Sequence, residues 1–459
     1  MDNGVANLAA ALPSVQLAES TPAGLTAIQW LICAIACLGF TFDLYEGLML
    51  PLIVRPVLFD LGHLSPGARD FNLWVGLLFF VPTAIGGAFG LVGGYLSDLL
   101  GRRRVLVWSI LLYTISACAA SFSTSIPEFM FFRCTTLIGV SVEFVAGITW
   151  IAELFPAPEQ RNSVLGYTQA FYNLGGFLVA GAYYLSVTHA EQLPSIWATH
   201  QPWRYTLFSG LIPAIPLMLV RPFLPESQVW REKKRLGTLK RPSFSALFQP
   251  ALKKQTWTVT VLVACSFVLA YGAMQQTVRI VPGLPGLAHA GVRYVEQTVS
   301  RVQLLQELGG VTGRILFVLL ILRIAKQRTR LLLFLTAAFV VYGWMYFYGA
   351  TQSILQLQVG MVLAALVFNG LYSFWGNYLP TVFPTHLRGT GEGFAFNIGG
   401  KILGASAALV TTQLANVMPA ADAGHRLAYS AGLVATVACL IGVIVAFWLR
   451  EPESDLLPA

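Results

Sequence analysis

The sequence is poor in charged residues. Only 11% of its 459 residues are Asp, Glu, Lys or Arg, while 56% are hydrophobic. A soluble globular protein carries about 25% charged residues. This shortage excludes an ordinary soluble domain and predicts a chain that lies in a membrane.

The sequence also lacks the patterns that mark several kinds of chemical site. Its six cysteines all lie in apolar runs and form no C-x-x-C pair, which indicates packing and not disulfides or metal ligands. It contains no phosphate-binding G-x-x-x-x-G-K-[ST], no metal-ligand cluster and no catalytic triad. We therefore expect no cofactor, no metal, no ATP-driven step and no enzyme activity.

What the sequence does contain is a series of apolar runs. Each run is roughly 20 residues long, enough for a helix to cross a hydrocarbon core of about 30 Å. About twelve such runs occur, which predicts an all-α membrane protein with twelve transmembrane helices. They lie near 26–52, 72–98, 105–123, 128–152, 164–186, 204–222, 257–278, 303–325, 330–350, 355–380, 393–416 and 427–449.

The net charge of +8 is distributed unevenly between the connections. If the N-terminus lies inside, the even-numbered connections and the C-terminus carry about nineteen Lys and Arg, and the odd-numbered ones about seven, as the positive-inside rule requires. The basic charge therefore indicates topology beside a lipid bilayer and not a nucleic-acid partner. We expect a plasma (inner) membrane protein with both termini cytoplasmic.

Two landmarks repeat along the chain at one offset. Phe-Pro followed by an Arg occurs around Arg161 and around Arg388, and Pro-Glu-Ser begins at Pro225 and at Pro452. Both pairs are 227 positions apart (161 to 388, 225 to 452). The sequence therefore predicts two six-helix halves that are pseudo-symmetric repeats, an arrangement known among transporters. The expected divisions are a cytoplasmic tail 1–25, a first bundle 26–225, a cytoplasmic linker 226–254, a second bundle 255–450 and a cytoplasmic tail 451–459.

The connection after the second run carries a motif, "GGYLSDLLGRRRVL". It resembles the G-x-L-x-D-r-x-G-r-k motif of the major facilitator superfamily, although Leu99 replaces the usual basic residue. The resemblance implies a charge network that latches the cytoplasmic side of two halves; a simple topology anchor is the alternative. The expected gate residues are Gly94, Asp98, Gly101, Arg102, Arg103, Glu153, Arg161 and Arg388.

Two acids stand inside the first apolar run, in "GFTFDLYEGLMLPL". Asp43 and Glu46 are three residues apart and share a helix face, so in a medium of low dielectric constant their repulsion favours binding of a proton. Arg133 in the fourth run lies at a comparable depth, and Glu143 lies deeper. We expect these four residues to couple protons; a fixed internal salt bridge is the alternative.

The acid-x-x-acid pattern of the first run resembles the metabolite:proton and lactate/sialate:proton symporter branches of that superfamily. Their fourth helix carries R-x-x-x-G-x-G-x-G-G-E, of which Arg133, Gly139 and Glu143 are present here. Leu137, Ser141 and Val142 replace three of the glycines, so packing of this helix is expected to differ.

Cations in the second half are candidates for holding an anion. Arg314 lies near the middle of the eighth run, although Glu307 could neutralise it. Lys401 lies in the eleventh run, one place after the position of a family arginine, and one residue rotates a side chain by about 100° in an α-helix. The expected substrate-binding residues are Arg314, Lys401, Gln275, Gln276, Asn369, Trp375 and Tyr271.

These features together predict a secondary transporter that moves a small organic anion with a proton by alternating access. A sugar or polyol carrier is the alternative, because "LPESQVW" and the Gln275–Gln276 pair resemble features of sugar porters. A sensor that does not transport, or a membrane enzyme, is a third possibility. The expected partners are a small-molecule substrate, protons and the bilayer, and we expect a monomer.

Overall fold

The computed structural model of the chain is built from helices. The structure describes residues 26–155, 160, 164, 168, 171–237, 244–321, 323–324, 326–384 and 387–451. Across these residues it contains no β-strand, only an isolated bridge between Ile196 and Thr199. Eleven helical segments of the described part are long and apolar enough to cross a membrane.

The α-helices are numbered in chain order. They are α1 Ala27–Gly62, α2 Arg69–Leu100, α3 Arg102–Ala120, α4 Ile126–Leu154, α5 Leu174–His189, α6 Pro202–Ser209, α7 Leu211–Val220, α8 Gln228–Arg235, α9 Lys253–Val268, α10 Val292–Ile321, α11 Gln327–Trp344, α12 Ala350–Gln352, α13 Ile354–Tyr378, α14 Arg388–Phe394, α15 Ser406–Leu414 and α16 Ala423–Ala446. The fifth predicted span, 164–186, begins among residues that are only partly described and is seen from Leu174 as α5.

Wider π-helical turns interrupt three of the spans in the second half. They are Leu269–Ala273, Met345–Gly349 and Ala395–Gly404. Short 3₁₀ segments are Ala190–Gln192, Arg221–Phe223, Phe244–Phe248, Met274–Arg279, Val281–Gly283, Pro285–Leu287 and Leu379–Thr381. Because π turns inside α-helices are frequent at functional sites, these interruptions indicate that a functional site lies in the second half.

Two spans are longer than the sequence predicts. Helix α1 continues ten residues past the predicted end at residue 52, and α10 begins eleven residues before the predicted start at residue 303. Charged residues in both extensions break the apolar pattern. The structure pairs them, because Arg55 Nη1 of α1 lies 2.6 Å from Glu296 Oε1 of α10. A second extension charge, Asp60, pairs with Arg204 of α6 at 3.0 Å.

The helices pack as two halves. In the first half α4 packs against α2 and α3, and in the second half α10 packs against α13 and α9 against the π segment Ala395–Gly404. The halves meet where α2 contacts α15 and that π segment, and where α5 contacts α10. The end of the bundle that carries the α1–α2 turn at His63 is the outer end in the predicted orientation.

The same capping contact occurs in both halves. Glu226, after the last helix of the first half, accepts the backbone N–H of Arg103 at 3.2 Å, in the first turn of α3. Glu451 accepts the backbone N–H of Arg328 at 2.7 Å, in the first turn of α11. Carboxylates at helix N-termini satisfy free N–H groups and the helix dipole.

This contact corrects the alignment of one repeat landmark. The two capping pairs are 225 positions apart (226 to 451, 103 to 328), whereas the Pro-Glu-Ser triplets are 227 apart. The structural partner of Glu226 is therefore Glu451 and not the acid of the second triplet. The duplication itself is consistent with the repeated contact.

We expect Gly101→Ala to lower the melting temperature of the purified protein in detergent. Gly101 has φ +101°, and a Cβ placed there would meet Glu226 Oε2 at 2.6 Å. Such backbone costs about 1–3 kcal/mol for other residues. The matched control is Gly94→Ala in the same motif, whose Cβ would have only an ordinary contact at 3.9 Å, with Val145. Equal melting of the two variants would contradict this account.

Candidate functional site

A buried acid–base pair joins α1 and α4. The side chain of Glu46 is fully buried and that of Arg133 is 2% exposed, with Arg133 Nη1 lying 3.7 Å from Glu46 Oε2. Arg133 Nη2 also donates to the backbone oxygen of Glu46 at 3.2 Å. The structure therefore places together the carboxylate and the arginine that the sequence put at comparable depth.

Asp43 has a different environment. It is buried, and its carboxylate oxygens, like those of Glu46 and Glu143, have no hydrogen-bond partner among the described residues. Unlike those two acids, it forms no ion pair with a described residue. The charged groups within electrostatic range of it are Glu143, Arg221, Lys401 and Glu46. Burying a carboxylate without donors is costly unless it takes up a proton or meets a cation. The surroundings of Asp43 therefore allow it either to bind a proton or to approach a cation.

Glu143 is paired with a residue that the sequence analysis missed. It forms an ion pair with Arg221, which stands at the end of the sixth span and also donates to the backbone oxygen of Leu106 at 3.4 Å. Gly39 of α1 makes room for this pair, because a Cβ there would collide with the guanidinium of Arg221. Arg221 lies inside the predicted span 204–222, so a charge within an apolar run was the signal that could have found it.

A small cavity reaches this pair from the inner end of the first half. Its volume is about 20 Å³, and it is lined by residues that include Glu143, Arg221, Arg103 and Leu224. A space of this size holds about one water molecule. Arg103 donates a hydrogen bond to the backbone oxygen of Leu224, so the cavity lies between that contact and the Glu143–Arg221 pair.

Lys401 crosses from the second half to the first. Its Nζ donates to Ser141 Oγ of α4 at 2.9 Å, and its charge acts on Asp43. Lys401 lies in the π segment Ala395–Gly404, which has more residues per turn than an α-helix. From this segment the lysine side chain reaches the interface between the halves.

Arg314 lies beside an aromatic cluster in the second half. Its Cζ is 5.7 Å from the ring centroid of Tyr372, which lies 5.8 Å from the ring of Phe396 and 6.2 Å from that of Phe267. Tyr271 stacks on Phe267 at 6.1 Å.

From the first half, Tyr172 is within electrostatic range of Arg314, of Tyr372 and of Asp43. Tyr172 and Tyr372 were not predicted, because single aromatic residues in apolar spans carry no distinctive signal. Together with Asp43 and Arg314 they define the central region between the halves.

Glu307, the proposed neutraliser of Arg314, has its own amide partners. Its Oε1 accepts from Gln303 Nε2 at 3.1 Å and from Gln306 Nε2 at 3.0 Å. The carboxylate packs against Gly176 of α5. Glu307 thus lies in the contact between α5 and α10, hydrogen-bonded by neutral side chains, and Arg314 remains within electrostatic range of it.

The remaining predicted binding residues are largely buried, and three of them form hydrogen bonds with other groups of the protein. Gln276 is fully buried; it donates to the backbone oxygen of Tyr271 at 2.9 Å and accepts from Arg279 at 2.8 Å. Trp375 is fully buried and donates to Ser266 Oγ at 2.8 Å, within the second half. Gln275 is buried, whereas Asn369 is half-buried and donates to the backbone oxygen of Ala365 at 3.0 Å.

The predicted gate is seen in part. Arg102 Nη2 lies 3.0 Å from Glu153 Oε1 and its Nη1 donates to the Ser97 backbone at 3.1 Å. Arg388 donates to the backbone oxygen of Pro380 at 3.0 Å. The side chain of Asp98 and the whole of Arg161 lie outside the described residues. Sequence reasoning left out Glu226, whose Pro-Glu-Ser context it noted only as a repeat landmark.

Comparison with known proteins agrees with this architecture. A family model described as Major Facilitator Superfamily matches residues 31–409. A sialic acid transporter of Escherichia coli (strain K12) is 26% identical over 79% of this chain and 82% of its own length. An arabinose-proton symporter of Bacillus subtilis (strain 168) is 26% identical over 68% of this chain and 71% of its own length. A solved D-xylose-proton symporter superposes with a TM-score of 0.72 at 17% identity, over 93% of this chain and 99% of that one.

A bundle of helices long and apolar enough to cross a membrane is typical of an integral membrane protein, and the family match makes the class specific. The chain belongs to the Major Facilitator Superfamily and is an integral, multi-pass membrane transporter. The resemblance drawn from the motifs and the predicted fold class are confirmed.

We expect Arg221→Gln to destabilise the protein strongly. The change leaves Glu143, which is 2% exposed, without its cation, and loss of one partner from a buried pair costs about 3–5 kcal/mol. The double variant Glu143→Gln/Arg221→Gln removes the uncompensated charge and recovers part of the loss. Thermal unfolding in detergent measures both.

The matched control for this prediction is Arg235→Gln. Arg235 and Glu232 form an ion pair whose side chains are 76% and 63% exposed, so its removal changes little. The account fails if Arg221→Gln melts like the control, or if the double variant is less stable than the single one.

Proposed function

We propose that the chain is a proton-coupled symporter of a small organic anion. The observation that carries the proposal is the arrangement of three groups, of which the first two are within electrostatic range of each other, while Tyr172 lies within range of both the first and the third. The three groups are an acid without hydrogen-bond donors (Asp43), a lysine from the opposite half that acts on it (Lys401), and an arginine beside an aromatic cluster (Arg314).

The proton belongs on Asp43 in this scheme, with Glu46–Arg133 and Glu143–Arg221 as the surrounding pairs. Without a proton, Asp43 attracts Lys401 across the interface. With a proton, that attraction is lost and Lys401 is held by Ser141 alone. A charge change on one half thereby alters the force between the halves, which is what coupling to a rocking motion requires.

The anion belongs beside Arg314. A guanidinium binds a carboxylate through two parallel hydrogen bonds. The rings of Tyr372 and Phe396, with Tyr172 opposite, give the carbon part of a substrate an apolar wall. A monoanion that enters with one proton moves no net charge, so a pH gradient alone can drive uptake.

The names of two relatives are consistent with parts of this proposal. One is a sialic acid transporter and one an arabinose-proton symporter, so an organic acid and proton coupling both occur among proteins of comparable similarity. The second name also supports the alternative, a sugar or polyol carrier. One observation opposes the sugar-carrier alternative: Gln276 is fully buried and is hydrogen-bonded to Tyr271 and Arg279.

The membrane arrangement completes the proposal. The chain lies in the plasma (inner) membrane as a monomer, with both termini and the 226–254 linker on the cytoplasmic side. The two bundles comprise 26–225 and 255–450. In this orientation the Arg102–Glu153 pair and the Glu226 cap lie at the cytoplasmic gate.

We expect Asp43→Asn to abolish uptake driven by a pH gradient while exchange persists. The amide cannot release a proton, but the site for the anion is unchanged. Proteoliposomes given external radiolabelled carboxylate measure both, as accumulation with an alkaline interior and, after loading with unlabelled carboxylate, as counterflow at equal pH. Asp70→Asn, an exposed acid in the first turn of α2, is the matched control. Retention of accumulation in Asp43→Asn would remove Asp43 from the coupling role.

We expect Arg314→Gln to raise the KM for carboxylates at least tenfold, since a charge-assisted pair contributes about 1.5–3 kcal/mol. Arg301→Gln, an exposed arginine on the same helix, is the control. Uptake with sugars and carboxylates as competitors separates the two candidate functions. Competition by sugars alone, with Arg314→Gln unaffected, would favour the sugar carrier.

A further inference from the structure

A second cavity lies far from Arg314, at the outer end of the bundle between the two halves. Its volume is about 210 Å³. The lining residues that matter here are Arg55, Phe71 and Asn72 from the first half and Arg279, Arg426 and Leu427 from the second. We call it the outer arginine cavity.

The charges on its walls do not balance. Arg55 is neutralised by Glu296, which also accepts the hydroxyl of Tyr183 at 2.6 Å. Within the part of the chain that the structure describes, the hydrogen-bond partners of the Arg279 side chain are neutral, Gln276 Oε1 at 2.8 Å and Asn72 Oδ1 at 3.0 Å. Its Nε is buried and has no hydrogen-bond partner in the described part of the chain.

Arg426 adds a second cation. Within the described residues its guanidinium has no ion-pair or hydrogen-bond partner. Its backbone N–H donates to the backbone oxygen of Asp422, and its backbone oxygen accepts from the Ser430 hydroxyl, both at α16. The one acid near it in sequence, Asp422, is paired with His425 at 2.7 Å. Two guanidinium groups therefore face the cavity without a carboxylate to offset them.

Two arginines without a balancing acid in one cavity wall are suited to a carboxylate, which guanidinium groups bind through parallel hydrogen bonds. Phe71, over which Arg279 lies at 5.6 Å, and Leu427 supply apolar surface for a carbon skeleton. The volume is below the 300–1,000 Å³ of pockets for drug-sized ligands, so the ligand must be small.

We propose that the outer arginine cavity is a second anion site, which binds the carboxylate of a small organic acid. This inference goes beyond the proposed function, because it does not require that the bound acid be transported.

The test is binding of sodium benzoate to the purified full-length chain in detergent, measured by isothermal titration calorimetry. The Arg314→Gln background removes the central arginine, and we expect one saturable binding event to remain in it. Adding Arg426→Gln should weaken that event at least tenfold. Arg426 has no described side-chain partner to lose, so this change should leave the melting temperature unchanged.

Three controls make the result decisive. Adding Arg301→Gln in place of Arg426→Gln should leave the affinity unchanged, and benzamide, the neutral analogue, should not bind. Chloride at equal concentration should not displace benzoate. The proposal is overturned if Arg314→Gln binds no benzoate, if Arg426→Gln has no effect, or if chloride or benzamide binds equally well. Transport is not measured, so failure of the proposed function would not produce any of these outcomes.

Discussion

The structure depends on one constraint: a charge placed inside an apolar bundle must have a partner. Glu46 meets Arg133 and Glu143 meets Arg221, and the partners come from different helices in both cases. The helices are therefore held in a fixed rotation by their charges as well as by packing. Asp43 differs from these two acids, since it is buried and has neither an ion pair nor a hydrogen bond with a described residue. A buried acid without a fixed partner can gain or lose a proton, and ionisable residues inside a membrane mark the pathways of protons and substrates in transporters.

The two halves share their scaffold and differ in their chemistry. Each ends in a carboxylate that caps the first turn of its third helix, Glu226 for α3 and Glu451 for α11. The positions 227 residues after Asp43 and Glu46 are Ala270 and Ala273, and a π turn covers this stretch. The repeated contact belongs to folding, whereas the unpaired acid, Lys401 and Arg314 occur once. Within the proposed mechanism, the first half therefore carries the proton-binding acid and the second half carries the arginine that binds the anion.

Sequence reasoning found the site residues that break a pattern and missed those that do not. Asp43, Glu46, Arg133 and Glu143 were found because acids and arginines are rare in apolar runs. Tyr172 and Tyr372 were missed because aromatic residues are common there. Gln276 and Trp375 were read as pocket residues from their polarity, but their hydrogen bonds tie them to Tyr271 and Ser266. Polarity indicates that a partner is needed and does not say whether the partner is a substrate or a neighbouring helix.

The amino-acid sequence by itself determined that the chain is a membrane protein of this superfamily, and it predicted twelve spans and a duplication, because apolar length, charge bias and motifs are local properties. It could not determine that α1 and α10 extend beyond their apolar runs, since that depends on Arg55 meeting Glu296 from a distant part of the chain. Only the tertiary structure decided that Arg221 neutralises Glu143 and that Lys401 reaches Ser141 of the other half. A partner across helices depends on rotation and depth, and a π turn that alters both leaves no clear mark in the sequence.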